Sequence, residues 1–240
     1  MTLDGTQTVG EIAREYPASV PVFEALGIDY CCGGNRSLED ACRKKDVSLN
    51  LVLSDLSGAL ITRPTEDERH WMTSSLADLA DHIVCEHHAY SKRELPRLTV
   101  LASKVRAKHG HMHTELHKIC ALVEAMAAEM SMHMLKEEQL LFPRLKIVEE
   151  AACAKTAPPP AFFGPLINPI RHMMGDHDDT GELLKSLREL TRDYTPPQNA
   201  CMSFQALYHG LAALEKDLHQ HVHLENNILF PRALDLERAQ

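Results

Sequence analysis

Hydrophobic positions recur in alternating three- and four-residue steps along two long stretches of the chain. One series is Leu116, Ile119, Val123, Met126, Met130, His133, Glu137 and Leu140; the other is Phe204, Leu207, Leu211, Leu214, Leu218, His221, Glu225 and Ile228. That spacing keeps one stripe of a helix turned towards a core. In both series a histidine, and the glutamate four residues after it, stand inside the apolar stripe rather than on the solvent face. With two further periodic stretches, the pattern predicts four long helices over residues 74–94, 112–150, 166–192 and 201–228. Leu95-Pro96, the proline-rich run 158–165 and Tyr194-Thr195-Pro196-Pro197 mark the loops between them. Four helices of this kind pack as an up-down bundle.

The first sixty residues carry shorter signals. Thr8 followed by Glu11 reads as a capping box opening a helix, Gly33-Gly34 as a turn, and Ser37 followed by Asp40 as the start of another helix whose apolar partners are Leu38, Ala41 and Cys42. Residues 56–70, with a glycine, a proline and a run of charges, read as a linker. The expected fold class is therefore all-α, with a small helical N-terminal domain over 1–60 and a four-helix bundle over 70–240.

Composition agrees with helices, since only 5% of the residues are aromatic and the chain is rich in Leu, Ala and Met. The net charge of -9 with interspersed signs leaves no basic patch to follow a phosphate backbone, so no nucleic-acid partner is expected. No apolar run reaches the roughly 20 residues that span a bilayer, and the N-terminus has no signal core, so no membrane partner and a cytoplasmic location are expected. Seven cysteines, an odd number without paired CxxC spacing, suit reduced thiols. Cys42, Cys85, Cys120, Cys153 and Cys201 read as small packing residues.

Fifteen histidines, several in clusters such as 109–113 and 219–223, require a reason. An ionised carboxylate and an imidazole facing a bundle core are each costly unless something compensates them. A lone His-x3-Glu would be read as a buried ion pair or an exposed helix face. Here it is duplicated: HMLKEEQLLFPR at 133–144 matches HVHLENNILFPR at 221–232. His88 lies 45 residues before His133, and His177 lies 44 before His221. Each half thus offers one histidine on one helix and a His-x3-Glu on the next, and the repeated helix is expected to end at its proline.

His177 continues the stripe Ile170, Met174, Gly181 and Leu184, with Asp176, Asp178 and Asp179 beside it as hydrogen-bond acceptors or solvated charges. On the first helix periodicity does not choose: His87 continues Leu76, Ala80, Ile83 and Tyr90, whereas His88 continues Ala77, Val84 and Leu95. The other histidines read as surface residues or caps. Four imidazoles and two carboxylates with no thiolate favour iron or manganese over structural zinc. Six ligands for two ions would make the glutamates bridge, with room for an oxo or hydroxo bridge.

The histidine-rich set with its HxxxE spacing resembles the hemerythrin-like bundles. Taken together, DYCCGG at 29–34, SxHMxKEExxLFP at 131–143, DHDxxGELL at 176–184 and HxxLENNxLFPRA at 221–233 resemble the Repair of Iron Centres family along essentially the whole chain. The resemblance implies a hemerythrin-like bundle with two non-haem iron ions, oxo- or hydroxo-bridged. It implies His88, His133, His177 and His221 as ligands, with Glu137 and Glu225 bridging; His88 is implied over His87 because the family's first ligand lies seven residues before its Leu-Pro. It further implies repair or protection of iron-sulfur clusters damaged by nitric oxide or oxidative stress. Nitric oxide or oxygen would be the small ligand and damaged iron-sulfur proteins the partners. Cys31 and Cys32, as exposed thiolates at a turn, would serve redox chemistry or touch a metal. The alternative reading is a hemerythrin-type sensor or carrier of oxygen or nitric oxide. Iron donation, a nitric oxide reductase-like activity and sequestration all remain open, as does oligomeric state, a homodimer included.

Overall fold

A computed structural model describes residues 3–60 and 71–239. Among the described residues there is no strand, only an isolated antiparallel bridge between Thr8 and Ser37. The N-terminal region holds α1 (Val9–Glu15), α2 (Val20–Leu26), α3 (Leu38–Lys45) and α4 (Leu49–Leu60). The Thr8 hydroxyl accepts from the Glu11 amide at 3.2 Å while the Glu11 carboxylate accepts from the Thr8 amide at 3.0 Å, the reciprocal cap that opens α1. Ser37 caps α3 through the Asp40 amide at 3.2 Å. Residues 56–60 of the expected linker continue α4, because Leu56 is buried in this small core; the remainder, 61–70, lies outside the described residues.

Four long helices follow. α5 spans 76–109, α6 spans 115–154, α7 is Ile167–Thr191 and α8 spans 202–238. Three of them contain a π turn, at Val84–His88 in α5, Glu137–Leu141 in α6 and Leu224–Leu229 in α8. A π turn places an extra residue in the helical ladder and rotates everything beyond it.

That rotation accounts for several departures from the sequence expectations. Leu140, placed on the inner stripe of the 112–150 helix, is 44% exposed, and Leu141 takes its place in the core. The repeated Leu-Phe-Pro-Arg does not end its helix. Pro143 and Pro231 come directly after the widened turns, where the regular ladder is already interrupted, and the helices run on to Ala154 and Arg238. Pro96 likewise sits inside α5 rather than ending it, with its ring on the solvent face, where the carbonyl it leaves free can meet water.

The core has a polar layer between two apolar ones. One apolar cluster joins Leu95, Leu98 and Val105 of α5, Leu116 to Met134 of α6, Leu184 and Leu187 of α7 and Phe204 to Leu218 of α8. The other joins Leu76 to Ile83, Leu141 to Val148, Ile170 with Met173, and Ile228 to Ala233. Along α5 and α7 the second cluster comes first; along α6 and α8 it comes last. The helices therefore alternate in direction, the up-down arrangement the pattern predicted, and residues 88, 133, 137, 177, 221 and 225 meet between the layers. A third cluster, built on Ile12, Phe23, Tyr30, Leu38 and Leu56, takes in Val222 of α8 and so seats the N-terminal helices against the bundle.

Candidate metal centre

The π turn in α5 resolves the choice between neighbouring histidines. Leu79, Ala80 and Ile83 face inward, and the extra residue swings His88 onto that face five positions after Ile83. His88 is fully buried with Nε2 pointing into the polar layer. His87 is also buried but points elsewhere: its Nδ1 pairs with Asp217 at 3.0 Å, and its ring lies parallel to that of His221 at 5.6 Å.

Four imidazole Nε2 atoms and two carboxylates converge. His88, Glu137, His221 and Glu225 form one group and His133, Glu137, His177 and Glu225 a second, with the donor atoms of each within 4.8 Å of one another. Both glutamates belong to both groups. Each group combines one histidine from each half of the internal repeat, so neither half makes a complete cluster alone.

The contacts inside are poor as hydrogen bonds and good as ligand positions. His88 and His221 bring their Nε2 atoms to 3.2 Å, and His133 and His177 theirs to 3.1 Å. The Glu225 oxygens divide between the groups: Oε1 lies 3.0 Å from His221 Nε2, and Oε2 lies 3.0 Å from His177 Nε2. Glu137 Oε2 stands 3.3 Å from His88 and 3.2 Å from His133. Yet both Glu137 oxygens and Glu225 Oε2, all fully buried, lack an aligned hydrogen-bond donor. Buried carboxylate oxygens without donors are rare unless an ion satisfies them. The residues fit a cation-binding centre on this ground, and the all-nitrogen and oxygen donor set suits iron or manganese.

Electrostatics point the same way. Burial works to raise the Glu225 carboxyl, but His221 and His177 hold it well below the usual carboxylate range. Glu137 is also lowered, its burial and the charge of Glu225 being outweighed by His133 and His88. Burial pulls His133 down, while Glu137 and Glu225 lift it to about 9. The carboxylates thus stay ionised in the core and demand positive charge around them.

Outer partners fix three of the four rings, while His221 Nδ1 is buried without one. His88 Nδ1 meets Glu138 at 2.7 Å, His133 Nδ1 meets Asp176 at 3.3 Å, and His177 Nδ1 donates to Asn226 Oδ1 at 2.9 Å. Lys92 and Lys136 hold Glu138 and Asp176 at 2.5 and 2.8 Å. With Nδ1 tied outward, Nε2 is left as the inward lone pair. Asp176 therefore serves His133 across the helices rather than its neighbour His177, which sequence adjacency suggested. Glu138 and Asn226 have no counterpart in the sequence reading. The repeat did hold a signal for them: each is the residue after a seam glutamate, inside a π turn that directs both inward.

Cys31 and Cys32 lie beside this centre. Cys32 Sγ is 3.3 Å from the His177 carbonyl, and Asn226, besides holding His177, donates to the Cys31 carbonyl at 3.3 Å. Neither is the exposed thiolate expected at a turn. Cys31 is buried and Cys32 half-buried, and the Cys32 contact together with burial pushes the Cys31 thiol well up. The hydrogen bond to α7 and the Tyr30 core close over them. Cys42 and Cys120 are buried packing residues as expected, but Cys85 and Cys153 are exposed. Cys201 is half-buried at the start of α8, with His109 Nε2 at 3.2 Å. His223, read as a surface residue, is buried between the Tyr30 ring and Asn227.

The four-helix bundle that carries these paired His/Glu clusters is a hemerythrin-type cation-binding domain: residues 79–233 match the Hemerythrin HHE cation binding domain family. Residues 5–60 match a second family, described as a domain of unknown function (DUF542). The "Probable iron-sulfur cluster repair protein" of Haemophilus influenzae is 35% identical over 229 residues, covering 95% of this chain and 97% of that protein. "Iron-sulfur cluster repair protein YtfE" of Citrobacter koseri is 34% identical and that of Salmonella typhimurium 35%, each across 95% of this chain and 96% of the relative. The chain belongs to this family of hemerythrin-like iron-sulfur cluster repair proteins. Among the described residues no helix is long and apolar enough to cross a membrane.

Proposed function

We propose that the protein repairs or protects iron-sulfur clusters damaged by nitric oxide or oxidative stress, using two non-haem iron ions. His88 and His221 would hold one ion, His133 and His177 the other, and Glu137 and Glu225 would bridge them, with an oxo or hydroxo group completing the pair. The observation that carries this reading is the sharing of both glutamates by two four-residue clusters. The relatives are iron-sulfur cluster repair proteins, which makes damaged iron-sulfur proteins the target in this reading. Bound iron would supply a redox-active position for nitric oxide or oxygen and an ion that can be given up.

The chain's own residues set the conditions. Glu138, Asp176 and Asn226 orient three of the four rings, and the two apolar layers keep bulk water away. Cys31 and Cys32, packed over the His177 side, govern access or redox state there. Residues 1–60 and 70–240 act as two domains in this proposal, a division supported by two separate family matches on either side of it. Seven unpaired cysteines support a reducing, cytoplasmic setting.

The test is nitric oxide titration of the reduced, iron-loaded protein, following iron release and gaseous product, alongside reactivation of a dehydratase with a damaged cluster. Reactivation supports repair, and the released iron or gas shows by which route. A stable, reversible oxygen adduct with no reactivation would replace this reading by a sensor or carrier.

A further inference from the structure

Asp29, Cys31 and Cys32 form a third group of metal-ligating side chains, with donor atoms within 4.8 Å of one another. The spacings have a specific meaning. Cys31 Sγ lies 3.9 Å from Cys32 Sγ and 3.5 Å from Asp29 Oδ1. For a tetrahedral ion with metal–sulfur bonds of about 2.3 Å and metal–oxygen bonds of about 2.1 Å, the sulfur–sulfur edge is about 3.8 Å and the sulfur–oxygen edge about 3.6 Å. Two edges of the group thus match a face of such a polyhedron, the third lies within 4.8 Å, and Asp29 Oδ1 also accepts from the Cys31 and Cys32 amides at 3.2 and 3.0 Å, which holds the carboxylate over the two cysteines.

Two further features belong with this geometry. Among the described residues no lysine or arginine pairs with Asp29, and Asp178 lies near enough for its charge to oppose that of Asp29. Two carboxylates thus stand near each other, with His177, beside Asp178, a larger charge influence on it than Asp29. Second, a Cβ at Gly33 would stand 2.9 Å from Asp29 Oδ2, so glycine keeps the approach to that oxygen open. Asp29 is exposed, Cys32 half-buried and Cys31 buried, which gives the group one solvent side and one protein side.

We infer that Asp29, Cys31 and Cys32 make a third cation site, a thiolate and carboxylate site for a divalent ion such as ferrous iron, beside the bundle centre. Binding displaces the two thiol protons to solvent and forms two metal–sulfur bonds and one metal–oxygen bond, with no change in oxidation state. Three protein ligands and an open side leave a position for water, so the ion exchanges readily. Asn226, which donates to the Cys31 carbonyl and accepts from His177, ties the site mechanically to the His177 side of the centre. The inference stands on different donors from the di-iron reading and does not depend on it.

The test is anaerobic titration of the iron-loaded, thiol-reduced full-length protein with cobalt(II) alone, read as a difference spectrum with metal counts. One equivalent should give a thiolate-to-cobalt charge-transfer band, which histidine and carboxylate ligands do not produce, without loss of the metal already bound. Cys31→Ser with Cys32→Ser should abolish the band, and Asp29→Asn should weaken cobalt binding by about tenfold or more. If the double variant loses its fold by circular dichroism, Cys32→Ser alone, at the half-buried position, should still weaken the band. Absence of the band at one equivalent, or its survival in the serine variants, which would trace it to Cys85 or Cys153, overturns the inference. Failure of the bundle to hold iron would show instead in the metal count and leave the sulfur band unaffected.

Discussion

Glu225→Gln places the heaviest demand on the two-cluster geometry. Each oxygen of Glu225 faces a different histidine, His221 and His177, at 3.0 Å. Glutamine keeps the volume but presents one neutral oxygen and an amide nitrogen that cannot ligate, so one ion loses its bond, the other keeps only a weaker carbonyl contact, and both lose the shared negative charge. A loss of about 100-fold in affinity per ion is a modest expectation, since even outer partners of ligands cost roughly 10- to 100-fold. With free ferrous iron at about 100 times the wild-type Kd, each ion stabilises the wild type by about 2.7 kcal/mol. For the variant, iron then stands near Kd and contributes about 0.4 kcal/mol. The difference of about 2.3 kcal/mol per ion corresponds to about 5–9 °C in Tm for a chain of this size. In chelator the variant should be no more stable than the wild type, because His221 and His177 already stabilise the Glu225 carboxylate in the folded protein. Anaerobic thermal melts with iron or chelator, together with iron counts, measure all of this. A variant that keeps one ion at full affinity, or shows the wild-type rise with iron, refutes the shared-glutamate geometry.

Three other outcomes follow from named contacts. His88→Ala should lose iron while His87→Ala keeps it, since His87 turns towards Asp217; iron analysis of the purified proteins decides, and the reverse result would reassign the ligand. Asn226→Ala removes the acceptor for His177 and the donor to the Cys31 carbonyl, so chelator competition should show roughly 10- to 100-fold weaker iron binding and thiol reagents should reach Cys32 faster. Arg188 grips Glu215 through two hydrogen bonds at 2.7 and 3.2 Å, with Glu215 buried but the Arg188 side chain 41% exposed to screening solvent; Arg188→Ala should cost about 1–2 kcal/mol in denaturant melts without changing iron content.

The legible part of this protein was what repeats along the chain. The stripes of α6 and α8 displayed their inner faces because side chains three and four apart on a helix share a side, whatever the neighbours do. The duplicated His-x3-Glu exposed four of the six centre residues by the same local rule, with the seam of α7 adding His177. The caps at Thr8 and Ser37 were readable because their bonds close within three residues. Wherever the ladder departs from the regular helix, that reading lost its register: it misplaced Leu140, stopped helices short of Pro96 and Pro231, and could not separate His87 from His88 by period.

A π turn is a local defect with no reliable local signature, retained because packing across the bundle rewards the side chain it redirects. Only the tertiary structure decided which histidines share a cluster, since His88 meets His221 and His133 meets His177 across 133 and 44 residues of chain. It alone placed Asp176 on His133, closed Cys31 and Cys32 under the N-terminal core, and set Asn226 between that core and His177. The sequence by itself determined four amphipathic helices and the histidine and glutamate side chains on their inner faces, because those follow from spacing on one helix. The pairing of ligands and the linkage to the cysteines depend on distances between helices, and those exist only once the apolar layers have packed.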